Sequence, residues 1–386
     1  MYPHQSERLD GALDAFGVDA VVATAAADVA YVTGFWSFSR DVYPAEIAAV
    51  YGKTGTALII PAIDAPALSS GEAAADHVAC HGPFFVDLAE RAEPHARTAA
   101  QLVAESAETA TDALTRVLDA LGLRAARIGI DAAPAGATTI AGGLSRFHTA
   151  PAVGAVGLAR AVKGPYEIEC LAQALRIAEE AIHTVLGELK AGTTEREAVE
   201  LYERAVAAHG ATAYATTIAF GPNTALPAAP PSERTLRPGE LVRFDLGAIF
   251  KGYRGDVARM AVLGEPDGRA ERVYDAVEAG VQAALDTIRP GVQGKTVFDA
   301  AVAAVHGAGV PGFRRHHVGH GIGLEPAESP WLRPGGETLE AGMVLRVETP
   351  YYELGGFGVN VKETVLVTRA GATAINRSHR GLVMLD

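Results

Sequence analysis

The chain has 386 residues, and 46 Asp and Glu against 33 Lys and Arg leave a formal charge of −13. That balance argues against a nucleic-acid partner, which needs clustered Lys and Arg to meet phosphates. With 49% hydrophobic and 20% charged residues the chain can bury a sizeable core, which excludes global disorder. Two cysteines, Cys80 and Cys170, cannot build a disulfide framework or a zinc ribbon. The opening segment has no basic stretch followed by an apolar run, and no run of about 18 apolar residues occurs. A cytoplasmic protein with no membrane partner is expected.

Residues 5–16 have the spacing of an amphipathic helix, and the apolar run 18–24 fits a buried strand. Residues 31–35 and 56–61 are read as two further strands, 108–121 as an Ala-rich helix and 126–131 as another strand. This alternation predicts an α/β domain over 1–155, and the Pro- and Gly-rich stretch 149–167 is taken as the linker. No glycine-rich phosphate loop follows any strand, so nucleotide binding has no support.

From 156 to 386 the pattern predicts an α+β domain. Helices are expected over 167–189 and over 193–210, the second opening on a capping-box sequence with Thr194 and Glu197 and closing at Gly210. Period-two segments on either side of Lys251-Gly252 predict a hairpin, followed by helices over 270–287 and near 296–308. A second strand pair is expected over 342–352 and 358–368, turning at Gly355 and Gly356. In the hairpin, an odd sum of paired residue numbers puts Asp245 and Asp256 on one face. Acids inside apolar strands are costly unless paired or ligated, so Asp245, Asp256 and Glu348 mark a candidate site together with the Gly-His-Gly run at 319–321.

These segments resemble a known family. FDLGAIFKGYRGDVAR (244–259), VGHGIGLEPAESP (318–330), VETP (347–350) and GVNVKETVLV (358–367) are similar to the creatinase, prolidase and aminopeptidase P family. RAVKGPYEIECLAQA (160–174) resembles the entry to its catalytic domain, and residues 8–35 resemble the creatinase-type N-terminal domain. The resemblance implies a pita-bread catalytic domain preceded by an α/β domain. In the metallopeptidase members two Asp, one His and two Glu hold two divalent metals. Four of those positions carry over as Asp245, Asp256, His320 and Glu348, a set that would suit Mn²⁺ or a similar hard ion. His316 fits the His-x-x-Gly-His pattern before the ligand histidine.

The departures carry as much weight. The fifth ligand position is Lys362, whose ammonium has no lone pair to give a metal. Two histidines that the family uses on substrate are Ala228 and Ala327 here. Arg243 and Arg346 each lie two residues before an acid and so share its face, as does Lys362 on the next strand. The expectation is that these fixed cations take over the metal charge, with no cofactor bound, since three clustered carboxylates could not otherwise all stay ionised.

By resemblance to creatinase and ectoine hydrolase, such a site hydrolyses a carbon–nitrogen bond without metal. His320 is then the expected general base or acid, with Glu348 next and Asp245 and Asp256 completing the catalytic set. Arg243, Arg346, Lys362, Tyr253 and His316 are expected to bind a small carboxylate-bearing amino-acid derivative, with Arg40 reaching across a homodimer. His317 and Arg259 are expected to point away from the site as structural residues. A metal-dependent Xaa-Pro dipeptidase, a lyase or cyclase of specialised metabolism, and an inactive scaffold stand as alternatives.

Overall fold

A computed structural model describes residues 2–42, 44–70, 74–131 and 144–386. It divides into two compact units, Met1–Arg160 and Ala161–Asp386, where the sequence placed the boundary after residue 155.

The first unit is built on a six-stranded sheet. Its strands are β1 (Ala20–Ala23), β2 (Ala48–Gly52), β3 (Gly55–Pro61), β4 (His77–His81), β5 (Arg127–Asp131) and β6 (His148–Pro151), in the order β4-β3-β2-β1-β5-β6. The helix Ala110–Ala120 buries Ala113, Leu114, Val117 and Leu118 against this sheet. Thr109 caps it by accepting from the Asp112 amide.

Two expectations fail in this unit. Residues 31–35 are not a strand: Ala26–Thr33 is a helix ended by Gly34 at φ 74°. Seven of its eight residues, Ala27 to Thr33, are buried, so no polar face exists to reveal a helical period. The stretch 149–167 is not a plain linker either. It holds the end of β6, the helix Ala155–Ala161 and the start of the helix Pro165–Glu188. Its Pro and Gly begin helices: Pro165 occupies the first turn, and the Asp131 carboxylate accepts the Gly154 and Val156 amides at 2.8 Å each.

The second unit carries two larger sheets and a two-stranded ladder. One contains β7 (Thr212–Phe220), β8 (Leu241–Phe250), β9 (Tyr253–Leu263) and, at its edge, a short C-terminal strand, in the order β7-β8-β9-edge. The other joins β10 (Gly319–Gly321), β11 (Glu328–Trp331), β12 (Val344–Glu348), β15 (Lys362–Thr368) and β16 (Gly371–Ala374), in the order β11-β10-β12-β15-β16. Between β12 and β15 lies a small ladder of β13 (Tyr351–Tyr352) and β14 (Gly358–Val359); the edge strand is β17 (Val383–Leu385).

Alternation decides which side chains reach the site. Val242, Phe244, Leu246 and Ala248 of β8 pack with Leu175, Ile182, Val199 and Tyr202 of the helices Pro165–Glu188 and Glu195–Ala208. Leu345 and Val347 of β12 pack with Val277, Val281 and Val297 of the helices Gly268–Thr287 and Gly294–Gly307. The intervening residues Arg243, Asp245, Arg346 and Glu348 therefore face the other way. Lys251 and Gly252 close the β8–β9 hairpin at φ 48° and 82°, and Asp245 lies opposite Ala258 while Gly247 lies opposite Asp256. One face thus presents both aspartates.

Candidate active site

Strand register gathers the remaining groups. Arg346 of β12 pairs with His320 of β10, and Glu348 pairs with Lys362 of β15. Directly opposed residues in antiparallel strands share a face, so these four project together. The aspartates of the β8–β9 hairpin meet them.

Two cations sit among the carboxylates. Lys362 Nζ lies 2.5 Å from Asp245 Oδ1, 2.9 Å from Asp256 Oδ1 and 3.9 Å from Glu348 Oε2. Arg346 donates to Asp256 Oδ2 and, at 3.2 Å, to Glu348 Oε1. Asp256 and Glu348 therefore each touch both cations. Arg346 Nη2 also lies 2.7 Å from His320 Nε2, while His320 Nδ1 is 2.8 Å from the Gly321 carbonyl. A guanidinium only donates, so Nε2 is the acceptor and the imidazole carries its proton on Nδ1.

Electrostatics follow from this packing. Burial alone would raise the Glu348 carboxyl, but Arg346, Lys362 and Arg315 override it and hold it at about 2. Burial likewise works against Asp256, and Arg346 and Lys362 outweigh it, keeping that carboxyl well below the usual range. Lys362 is held above its ordinary value: burial and Arg346 would lower it, and Asp245, Asp256 and Glu348 prevail. His320 moves the other way, down to about 4, because burial and the neighbouring Arg346 charge disfavour its protonated form. The imidazole is neutral at physiological pH, with its lone pair taken by Arg346.

Several other placements differ from the sequence reading. Arg243 is fully buried and bonds Asp245 at 3.0 Å, but its second nitrogen donates to the Leu226 carbonyl at 2.5 Å, which leaves it anchoring the 222–230 loop and unavailable to substrate. Tyr253 lies on the opposite face of β9 from Asp256, and its hydroxyl meets Glu167 at 3.2 Å. His316 is exposed and contacts the His317 ring edge-on at 4.4 Å. Arg40 belongs to the first unit, where its guanidinium donates to the Thr24 and Ile47 carbonyls at 2.9 and 3.2 Å. His317 does not turn away: it precedes β10, so strand alternation does not govern it, and its ring lies 5.5 Å from His320. Burial pushes its imidazole down to about 4. Arg259 is structural as expected, lying near Glu179 and Glu363 at 3.6 and 3.5 Å.

Three contributors escaped the sequence reading. Asn360 donates to Asp245 Oδ2 at 2.9 Å, which its spacing two residues before Lys362 could have signalled. Arg315 lies 3.8 Å from Glu348 Oε1, from a loop with no strand period. Tyr214 packs its ring over Gly247, where a Cβ would collide with it. A bulge in β7 after Tyr214, with Ala215 at φ 50°, aims it there, and no sequence pattern announces a bulge.

The donor set can be tested against a pair of divalent ions. The oxygens of Asp245, Asp256 and Glu348 and the imidazole nitrogen of His320 are the atoms a metal pair would need. All four groups already accept from, or lie within 3.9 Å of, Lys362 or Arg346. Two fixed positive charges in that space would repel cations, so this arrangement does not fit them.

The sequence pattern of metallopeptidase family M24 matches residues 169–369, more than half of the chain, and the chain belongs to that family. It is 35% identical over 215 residues to an uncharacterized peptidase of Staphylococcus saprophyticus, covering 55% of this chain and 61% of that protein. It is 33% identical over 229 residues to the Xaa-Pro dipeptidase of Pyrococcus furiosus, covering 58% of this chain and 65% of that one. The matched stretch thus spans less than two thirds of either relative. Among solved structures, an Xaa-Pro dipeptidase from Bacillus anthracis superposes with a TM-score of 0.81 at 24% identity, covering 99% of both chains. An X-Pro aminopeptidase from Thermotoga maritima gives 0.80 at 24%, over 98% of this chain and 99% of that one. The fold is the pita-bread fold with its N-terminal domain.

Proposed function

We propose that this chain is a metal-independent hydrolase of the family, acting on a carbon–nitrogen bond in a small carboxylate-bearing amino-acid derivative. The observation that carries this reading is the placement of Lys362 and Arg346 among Asp245, Asp256, Glu348 and His320, with each carboxylate bonded to at least one of them. In the reaction the two cations, held by Asp245 and Asp256, stabilise negative charge that develops on the attacked group, as preorganised donors do in a dry site. Arg346 has a second task. While it donates to His320 Nε2 the histidine is no base; when Arg346 turns to a bound anion, Nε2 regains its lone pair and can take a proton from water. A homodimer is part of the proposal, supported by an exposed apolar segment in the first unit where Trp36, Phe38 and, at the end of the short helix Ser39–Val42, Val42 are 42%, 76% and 60% exposed.

The relatives' names favour a second reading, an Xaa-Pro dipeptidase, which by the family resemblance would depend on a divalent metal such as manganese. The two readings separate on one assay. Chelator-treated protein is given N-acylated and guanidino amino acids, and separately Xaa-Pro dipeptides with added manganese. Turnover of the first group without metal is expected; manganese-dependent cleavage of the dipeptides alone would overturn the proposal.

A further inference from the structure

Arg315 is held in place before it has anything to bind. The loop between the helix Gly294–Gly307 and β10 is anchored by Phe313, which is buried with Ala276 and Val305 and whose carbonyl lies 2.8 Å from His306 Nε2. From that anchor the side chains alternate: Arg314 and His316 are exposed, whereas the Arg315 side chain is only 15% exposed and His317 is buried. Arg315 therefore reaches Glu348, yet its Nη2 stops 3.8 Å from Oε1, beyond hydrogen-bond length. Its Nε is buried with no hydrogen-bond partner among the described residues. The Nε atoms of Arg243 and Arg346 are likewise buried without a partner, but those two spend their terminal nitrogens on carboxylates, a histidine and backbone carbonyls, which Arg315 does not.

The charges at this place do not cancel. Arg243, Arg315, Arg346 and Lys362 face Asp245, Asp256 and Glu348, and His320, whose Nε2 accepts from Arg346, carries no charge, which leaves one positive charge in excess. A largely buried, unbalanced charge is costly, and a singly charged anion would balance it. An ordered guanidinium with open donors matches the planar fork of a carboxylate. Phosphate would overshoot the single excess charge and crowd Glu348.

We infer that Arg315 is a specificity-determining residue that receives the substrate's carboxylate beside Glu348. The inference rests on the fixed-cation reading of the site. Full-length protein, with its metal content measured on the same sample, is titrated calorimetrically with N-acetylglycine, its uncharged amide N-acetylglycinamide, and inorganic phosphate. N-acetylglycine is expected to bind wild type, and Arg315→Gln to weaken it about tenfold or more, as loss of a charge-assisted bond does. Arg315→Lys, which keeps the charge without the fork, should weaken it less, and Arg314→Gln on the exposed neighbour should leave it unchanged. If Arg315→Gln does not fold, the Arg315→Lys and Arg314→Gln pair carries the test, the first weakening binding and the second not. Equal effects of the position-315 and position-314 changes, equal binding of the amide, a preference for phosphate, or no binding of N-acetylglycine to wild type each overturn the inference. Bound manganese in wild type would instead bring down the fixed-cation reading, a result separable from unchanged binding by metal-free Arg315→Gln.

Discussion

Two buried charge clusters lie on opposite faces of β9 and β15, and they are built differently. On one face Arg259 gives its nitrogens to the backbone carbonyls of Ala258, Lys362 and Ser378. There Glu179 accepts the Arg377 and Ser378 amides, the Ser378 hydroxyl and the Asn376 side chain. That cluster ties the C-terminal segment to the helix Pro165–Glu188. On the other face Lys362 and Arg346 bond almost wholly to side-chain carboxylates and one histidine. A cation spent on backbone oxygens holds a chain in place; one spent on other charged side chains sets an electrostatic environment. By that criterion Arg40 sides with the structural cluster, Arg243 does both by bonding the Asp245 carboxylate and the Leu226 carbonyl, and Arg315, with no such bonds, stands apart.

The largest effect expected from breaking this contrast is at Lys362. Replacing it with Met leaves Asp245 and Asp256 facing each other without their shared cation, and removing one partner of a buried pair costs about 3–5 kcal/mol. Denaturant unfolding should show a loss of that size, and adding Asp245→Asn should restore part of it. If Lys362→Met were neutral, the carboxylates would not depend on the fixed cation.

A smaller effect appears in the pH dependence, with opposite signs on the two faces. His320 drops from 6.5 to about 4 in the folded chain, so the unfolded chain takes up its proton first. Stability is then full above about 6.5 and falls as pH drops towards 4, by on the order of 3 kcal/mol from this residue. Glu363, next to Lys362 but on the other face, rises from 4.5 to about 7, mainly through burial, against the pull of Arg259 and Arg380. The folded chain keeps that proton, so its contribution is full below 4.5 and is lost as pH rises through about 7. Glu363→Gln, a neutral stand-in for the protonated acid, should remove the loss between about 4.5 and 7, so that the opposing His320 rise over nearly the same range shows through more steeply than in wild type. A variant whose stability between about pH 4.5 and 7 follows the wild-type curve would show that Glu363 is not the group responsible.

The sequence made the main elements of the second unit legible because its strands alternate strictly and its turns carry their own chemistry. The Lys251-Gly252 turn and the sum rule for the hairpin were enough to put Asp245 and Asp256 on one face, and spacing by two placed Arg346 with Glu348. What was not legible has physical reasons. The helix Ala26–Thr33 is buried nearly all round and shows no period. Side-chain direction says nothing about which acceptor wins, so Arg243 and Tyr253 looked like substrate contacts while their polar ends are taken by Leu226 and Glu167. Loop residues such as Arg315 and His317 belong to no strand ladder, so their alternation has no register to say which site it faces. The pairing of Arg346 with His320, which sets the histidine's tautomer, depends on register across two strands.

The central claim is that side-chain cations occupy the place of a metal pair, and the most direct test is metal content. Untagged protein expressed with added manganese and measured by elemental mass spectrometry should carry essentially no manganese while remaining folded. About two ions per chain, the stoichiometry of a two-metal hydrolase, would contradict the account.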